Sequence, residues 1–280
     1  MFLRAILSAA VTAIPAAMLV GTIHAAPAAS LPAPVATLPG PAAVAVARAA
    51  ITSCPPAAAS GCDPSGPIVA IGDSVTYGYG ATMVAYSTPP ATSWPADLER
   101  TLGVPVVNAG VNGDTAYSVL HPTAQGFGHR PPALQLPALL ALHPRLVVVG
   151  FGMAEAVYGW PQSEAVADLD TLLGAIGDIP TVILGSHVDC AGQPFCHSQA
   201  SHFDGGSGWD AELRALAARH HSGLLLDSQA GLAAAGDMED ALHPNAAGYR
   251  VLAARIAPVV RDRLAAASAG HPAGGRLLHS

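Results

Sequence analysis

Five short aliphatic runs punctuate the middle of the chain, at residues 67–71, 104–108, 146–151, 181–185 and 224–227. Each is continuously apolar rather than alternating, the pattern of a parallel strand covered on both faces. Between them, apolar positions recur at helical spacing over 94–102, 133–142, 163–176 and 209–220. A last helical stretch, 246–264, carries Val251, Leu252, Ile256, Val259 and Val260 as one stripe, and Asn245 before it can cap the first turn. Strand and helix alternate, which predicts an α/β fold of three layers, with five parallel strands between two sets of helices. In such sheets ligands bind at the carboxyl ends of the strands. Ser74, residues 110–114 and residues 152–155 each follow a strand directly, so they are expected to meet on one edge.

The pattern fades towards both ends. Residues 27–64 are rich in alanine and proline and lack large side chains to bury, as in a linker or loosely packed arm. Residues 268–280 are rich in Gly, Ala and His and are expected to fray. One folded domain, 65–267, remains between them. Residues 1–26 read as an export signal: Arg4, an alanine-rich apolar run from 5 to 20, then small residues around Ala25 and Ala28. Pro15 interrupts that run, and it is shorter than the roughly 20 residues a bilayer span needs. The mature chain is therefore expected to have no integral span and to be secreted, periplasmic or held in the cell envelope.

The four cysteines suit that compartment. They permit three pairings. Joining Cys54 to Cys62 and Cys190 to Cys196 closes two small loops and is the expected arrangement. Neither pair has CxxC spacing, so no metal is expected there, although His187 and His197 flank the second pair. The chain is 51% hydrophobic and 11% charged, enough for a large core. Its net charge is −7, lysine is absent and the arginines do not cluster, which argues against a nucleic-acid partner.

Candidate chemistry lies at the ends of this pattern. The first apolar run delivers Gly72-Asp73-Ser74, and near the C-terminus the chain reads Asp240-Ala241-Leu242-His243-Pro244. A serine hydroxyl is a poor nucleophile until a base takes its proton. His243 is the expected base. Asp240, three residues earlier, can fold back to fix its tautomer and stabilise the imidazolium. Asp73 is expected to hold the turn. The negative oxygen that develops during acyl transfer needs aimed donors. The backbone amide of Ser74, opening a helical segment, is one candidate. Gly113 is a second, since no side chain blocks approach to its amide. Tyr77, Tyr79, Tyr86, Trp94, Phe127 and Trp160 are candidates either to line a groove or to pack the core. The elbow Gly-x-Ser-x-Gly of α/β-hydrolases is not met, because Thr76 stands where its last glycine belongs.

These blocks resemble the SGNH, or GDSL, hydrolase superfamily. Gly72-Asp73-Ser74 matches its first block, Asn112-Gly113-Asp114-Thr115 is similar to its second, and Asp240-Ala241-Leu242-His243 matches its last. The resemblance implies a flavodoxin-like sheet with strand order 2-1-3-4-5. It also implies a serine esterase or lipase-like enzyme that needs no cofactor or metal and acts on small-molecule, lipid or glycan esters. One block departs. The third is Gly-x-Asn-Asp in the family, its asparagine donating to the oxyanion, whereas this chain reads Gly152-Met153-Ala154-Glu155. Losing one such donor costs on the order of a hundred- to a thousandfold in rate. Asn112 or an ordered water is the expected replacement, and Glu155 is expected to hold the loop. Two other readings stay open: an O-acyltransferase using the same three residues, and a non-catalytic binder of envelope glycans or lipids.

Overall fold

The computed structural model describes residues 65–81, 89–122, 130–185 and 208–269. The expected leader, arm, most of the tail and all four cysteines lie outside the described residues, as do Tyr86, Phe127, His187 and His197.

In chain order the elements are β1 (Ile68–Gly72), α1 (Ser74–Tyr77), α2 (Trp94–Leu102), β2 (Val106–Gly110) and α3 (Ala116–Leu120). A 3₁₀ turn (Pro132–Leu134), α4 (Leu136–Leu140), β3 (Leu146–Gly150), α5 (Met153–Tyr158) and α6 (Gln162–Ile176) follow. The remainder is β4 (Thr181–Leu184), α7 (Trp209–Arg219), β5 (Gly223–Leu225), α8 (Leu232–Ala235) and α9 (Ala246–Ser268). The five strands form one parallel sheet in the order β2-β1-β3-β4-β5, as the family resemblance implied.

Burial explains why the strands read as unbroken apolar runs. Every residue of β1, β3 and β4 is buried, and the one polar side chain among them, Thr181, satisfies its hydroxyl on the Ile179 carbonyl. The edge strands β2 and β5 are only partly buried. α9 lays Leu252, Ile256, Val260 and Leu264 on the core, and Trp94, Trp209 and Tyr249 are fully enclosed. Each large apolar side chain so enclosed contributes about 1.5–3 kcal/mol relative to exposure.

Three boundaries differ from the sequence expectation, the first two for clear reasons. The run 104–108 pairs two residues later, as Val106–Gly110, because the register against Ile68–Gly72 sets its length. The expected helix over 133–142 is broken in two, with Gln135 extended between the pieces. Pro132 and Pro137 lack the N–H a continuous helix needs and instead start new turns. The last helix runs beyond 264 to Ser268.

Register places the site. Gly72 is level with Gly110 on one side and with Gly150 on the other. β1, β2 and β3 therefore end together, and the chain segments that follow them emerge side by side.

Candidate active site

β1 feeds directly into α1. Asp73 is the N-cap, its Oδ1 accepting the Val75 amide at 2.9 Å. The aspartate thus holds the turn, as expected, and Ser74 opens the helix. Ser74 Oγ lies 2.9 Å from His243 Nε2. His243 Nδ1 lies 2.8 Å from Asp240 Oδ2 and 3.0 Å from Asp240 Oδ1. With the carboxylate on Nδ1, that nitrogen carries the proton and Nε2 is left to accept from the serine. Ser74 and the Asp240–His243 pair, 169 residues apart, are brought into one hydrogen-bonded line.

The loop that carries the dyad is tightly tied. Asp240 Oδ1 also accepts the amides of Leu242 and His243, each at 2.8 Å. The Glu239 amide donates to the His243 carbonyl at 2.8 Å, and Met238 bridges Pro244. Asn245 then caps α9, accepting from Ala247 at 2.9 Å and Gly248 at 3.1 Å. Partial burial pushes the Asp240 carboxyl up, but hydrogen bonds from the His243 ring and the two amides outweigh it and hold it below the usual carboxylate range. Tyr79 packs its ring on the imidazole, with centroids 4.5 Å apart, while Tyr249 Oη donates to the Tyr79 carbonyl at 2.6 Å.

The loops after β2 and β3 follow the two strands that flank β1, which delivers Ser74. Gly113 has φ +72°, a conformation glycine adopts without strain. Its neighbour Asn112 buries its Oδ1 without a hydrogen-bond partner. Glu155, 1% exposed, joins the two loops: Oε1 accepts the Ala116 amide and Oε2 the Gly152 amide, each at 2.9 Å. Gly152 has φ +119°, and a Cβ there would meet Trp209 at 2.7 Å.

Three buried carboxyls underlie this edge. Burial drives Asp73 up to about 7 against the opposing pull of the Val75 and Ala154 amides. It drives Glu155 to about 7 against its own amide partners. Asp114 reaches about 6, burial outweighing the attraction of Arg130.

Arg130 went unnoticed in the sequence. Its guanidinium pairs with Asp114 through both Nε and Nη2, and both side chains are fully buried. Nη1 donates to the carbonyls of Ala109 at 2.8 Å and Leu134 at 2.9 Å. One cation thereby pins the segment around residue 130 to the end of β2. A lone arginine among prolines and apolar residues in a charge-poor chain was its only signal. Tyr158 was also missed; its hydroxyl donates to the Gly113 carbonyl at 3.3 Å.

The aromatic candidates separate. Tyr77 and Trp94 are core residues. Tyr79 belongs to the site, and Trp160 meets the exposed Tyr117 edge-on at 5.6 Å. A cavity of about 660 Å³ lies on the Asp240 side, walled by Tyr79, Glu239 and Asp240 among others but not by Ser74. Among the described residues, no cluster of three or more His, Cys, Asp or Glu side chains could hold a metal ion, and no helix is long and apolar enough to cross a membrane.

The GDSL-like lipase/acylhydrolase family model matches residues 70–251. Similar solved structures include a lipolytic protein of the G-D-S-L family from Desulfitobacterium hafniense: TM-score 0.51, 20% identity, 69% of this chain and 98% of that one covered. The lipase/acylhydrolase from Enterococcus faecalis has a TM-score of 0.53 at 19% identity, covering 70% and 96%. A protein named TesA has a TM-score of 0.53 at 22% identity, covering 70% and 99%. At these identities the likeness establishes the shared fold. A comparison with curated proteins gave no match.

Proposed function

The chain belongs to the GDSL-like lipase/acylhydrolase family and is an ester-hydrolysing enzyme, and we propose that it works as an exported serine esterase through an acyl-enzyme on Ser74. The observation that carries this reading is the line from Ser74 Oγ to His243 Nε2 at 2.9 Å, continued from His243 Nδ1 to Asp240 at 2.8 Å.

In the proposed sequence, Ser74 Oγ attacks the carbonyl carbon while His243 takes its proton. Asp240, held ionised by its donors, stabilises the imidazolium. The carbonyl oxygen becomes an oxyanion and accepts from the amides of Ser74 and Gly113. Collapse expels the alcohol, which receives the proton from His243. Water, deprotonated by the same imidazole, then clears the acyl group from Ser74. The tilted Tyr79 ring limits how far the imidazole can turn between these transfers.

Labelling by a fluorophosphonate probe tests the nucleophile. Wild-type protein should be labelled and Ser74→Ala should not; a folded wild type that resists the probe would refute the mechanism. Turnover of p-nitrophenyl esters from acetate to palmitate then reads the acyl length the site accepts. Export and the two short-loop disulfides, Cys54 to Cys62 and Cys190 to Cys196, remain part of the proposal. N-terminal sequencing and thiol titration of protein recovered outside the cytoplasm check them.

One observation favours a second reading. Ala154 stands where the family has a donating asparagine, as it would in a binder that has lost catalysis. Glycan or lipid binding that survives Ser74→Ala, with no turnover of any short ester, would select it.

A further inference from the structure

Ala154 offers no side-chain donor, yet a hydroxyl-bearing residue lies one helical turn further along α5. Tyr158 follows Ala154 by four residues within α5, so the two share a helix face. Helical side chains lean towards the helix N-terminus, which carries the phenol back over position 154. Its hydroxyl donates to the Gly113 carbonyl at 3.3 Å, which ties α5 to the loop after β2. Gly113 is itself one of the two residues proposed to hold the oxyanion. The Ala154 amide meanwhile donates to Asp73, the residue just before the nucleophile. The base of α5 is therefore anchored to the serine turn, and the phenol to the glycine loop.

We infer that the Tyr158 hydroxyl is the side-chain oxyanion donor of this enzyme, in place of the asparagine amide that Ala154 lacks. The inference rests on the serine-esterase reading and extends it by one catalytic residue. Three further features support it. The bond to Gly113 is long for an O–H donor and correspondingly weak. A hydrogen bond to an ionised oxygen is roughly twice as strong as one to a neutral carbonyl, so the exchange is downhill once the oxyanion forms. Burial, with Asp73, Glu155 and Asp114 adding to it, raises the phenol's pKa and keeps it a protonated donor.

The step moves no proton between residues. As the carbonyl oxygen gains charge, the Tyr158 O–H turns from Gly113 to that oxygen, and it returns when the tetrahedral species collapses. The interaction is thus made in the transition state and not in the resting enzyme, which places its effect on kcat.

The test uses p-nitrophenyl butyrate with four full-length proteins: wild type, Tyr158→Phe, Ala154→Asn and the double variant. Tyr158→Phe keeps the ring and should lower kcat about a hundredfold with KM within about twofold. Inhibition by a boronic acid, which forms a tetrahedral adduct on serine, should weaken by a similar factor. Ala154→Asn in the Tyr158→Phe background should recover at least about tenfold, because it restores the amide at the same place. Ala154→Asn alone should gain less than about threefold, since the hole already holds its donor. A Tyr158→Phe enzyme with kcat within threefold of wild type overturns the inference. So does a folded double variant that recovers nothing, or a hundredfold gain from Ala154→Asn alone. Wild type without ester turnover overturns the esterase reading and this inference together, whereas wild-type turnover unaffected by Tyr158→Phe overturns this inference only.

Discussion

Replacing Arg130 by methionine is the sharpest test of how the edge of the sheet is held. Methionine keeps the apolar stem and removes the guanidinium. The buried Asp114 carboxylate then loses both of its bonds from Arg130, and the carbonyls of Ala109 and Leu134 lose the donor that Nη1 supplied. Removing one member of a fully buried ion pair costs about 3–5 kcal/mol, chiefly because the other charge is stranded. In a domain of about 150–250 residues, each kcal/mol lowers the melting temperature by about 2–4 °C. Arg130→Met should therefore melt about 6–20 °C below wild type at pH 7, with a matching loss in urea unfolding. If stranded charge is the cause, Asp114→Asn in the same chain should recover part of the loss. Lowering the pH should help as well. Asp114, already raised to about 6 with its partner present, rises further without it. The folded state then binds a proton that the unfolded state releases, so stability grows as pH falls. Arg130→Met should look closest to wild type near pH 5. A loss below about 1 kcal/mol, or a double variant no better than the single one, would refute the reasoning. Because Asp114 follows Gly113, kcat should fall along with stability.

Three further outcomes are expected. Asp73 and Glu155 titrate near 7 when folded and near their ordinary values, 3.8 and 4.5, when unfolded. Folded protein binds more protons between those limits, so these groups make stability decline as pH rises from about 4 to 7. Glu155→Gln should flatten that slope in urea titrations, and an unchanged slope would contradict the assignment. Asp240→Asn keeps an acceptor for the Leu242 amide but unsets the His243 tautomer. It should cut ester turnover about 10⁴-fold with little change in melting temperature, and a tenfold loss or less would remove Asp240 from the proposed triad. Gly152→Ala places a methyl on Trp209 at a backbone φ of +119°. A loss of about 2–4 kcal/mol by denaturant unfolding is expected, from strain and overpacking together.

Much of the molecule was legible along the chain, for reasons that are local. A strand buried on both faces is apolar at nearly every position, so β1, β3 and β4 announced themselves within a residue or two. Ser74 lay at the end of the first such strand, and Asp240 and His243 are close enough in sequence to meet within one tight loop. Asn245 before a helical stripe was a cap by its chemistry alone. The expected helix over 133–142 breaks for an equally local reason: Pro137 inside it has no N–H to continue the turn.

What the chain alone determined, then, is the α/β alternation and the two ends of the proposed catalytic line. Both depend on burial and on short-range geometry. Tertiary structure decided what lies between those ends. Whether Arg130 meets Asp114, Glu155 spans two loops or Tyr158 reaches Gly113 depends on strands β1, β2 and β3 ending level and on helices that bring distant segments together. Such contacts join residues 16, 39 and 45 positions apart. A lone arginine, glutamate or tyrosine leaves no periodic trace, because periodicity records which face of an element is buried and not which distant polar group answers it across the fold.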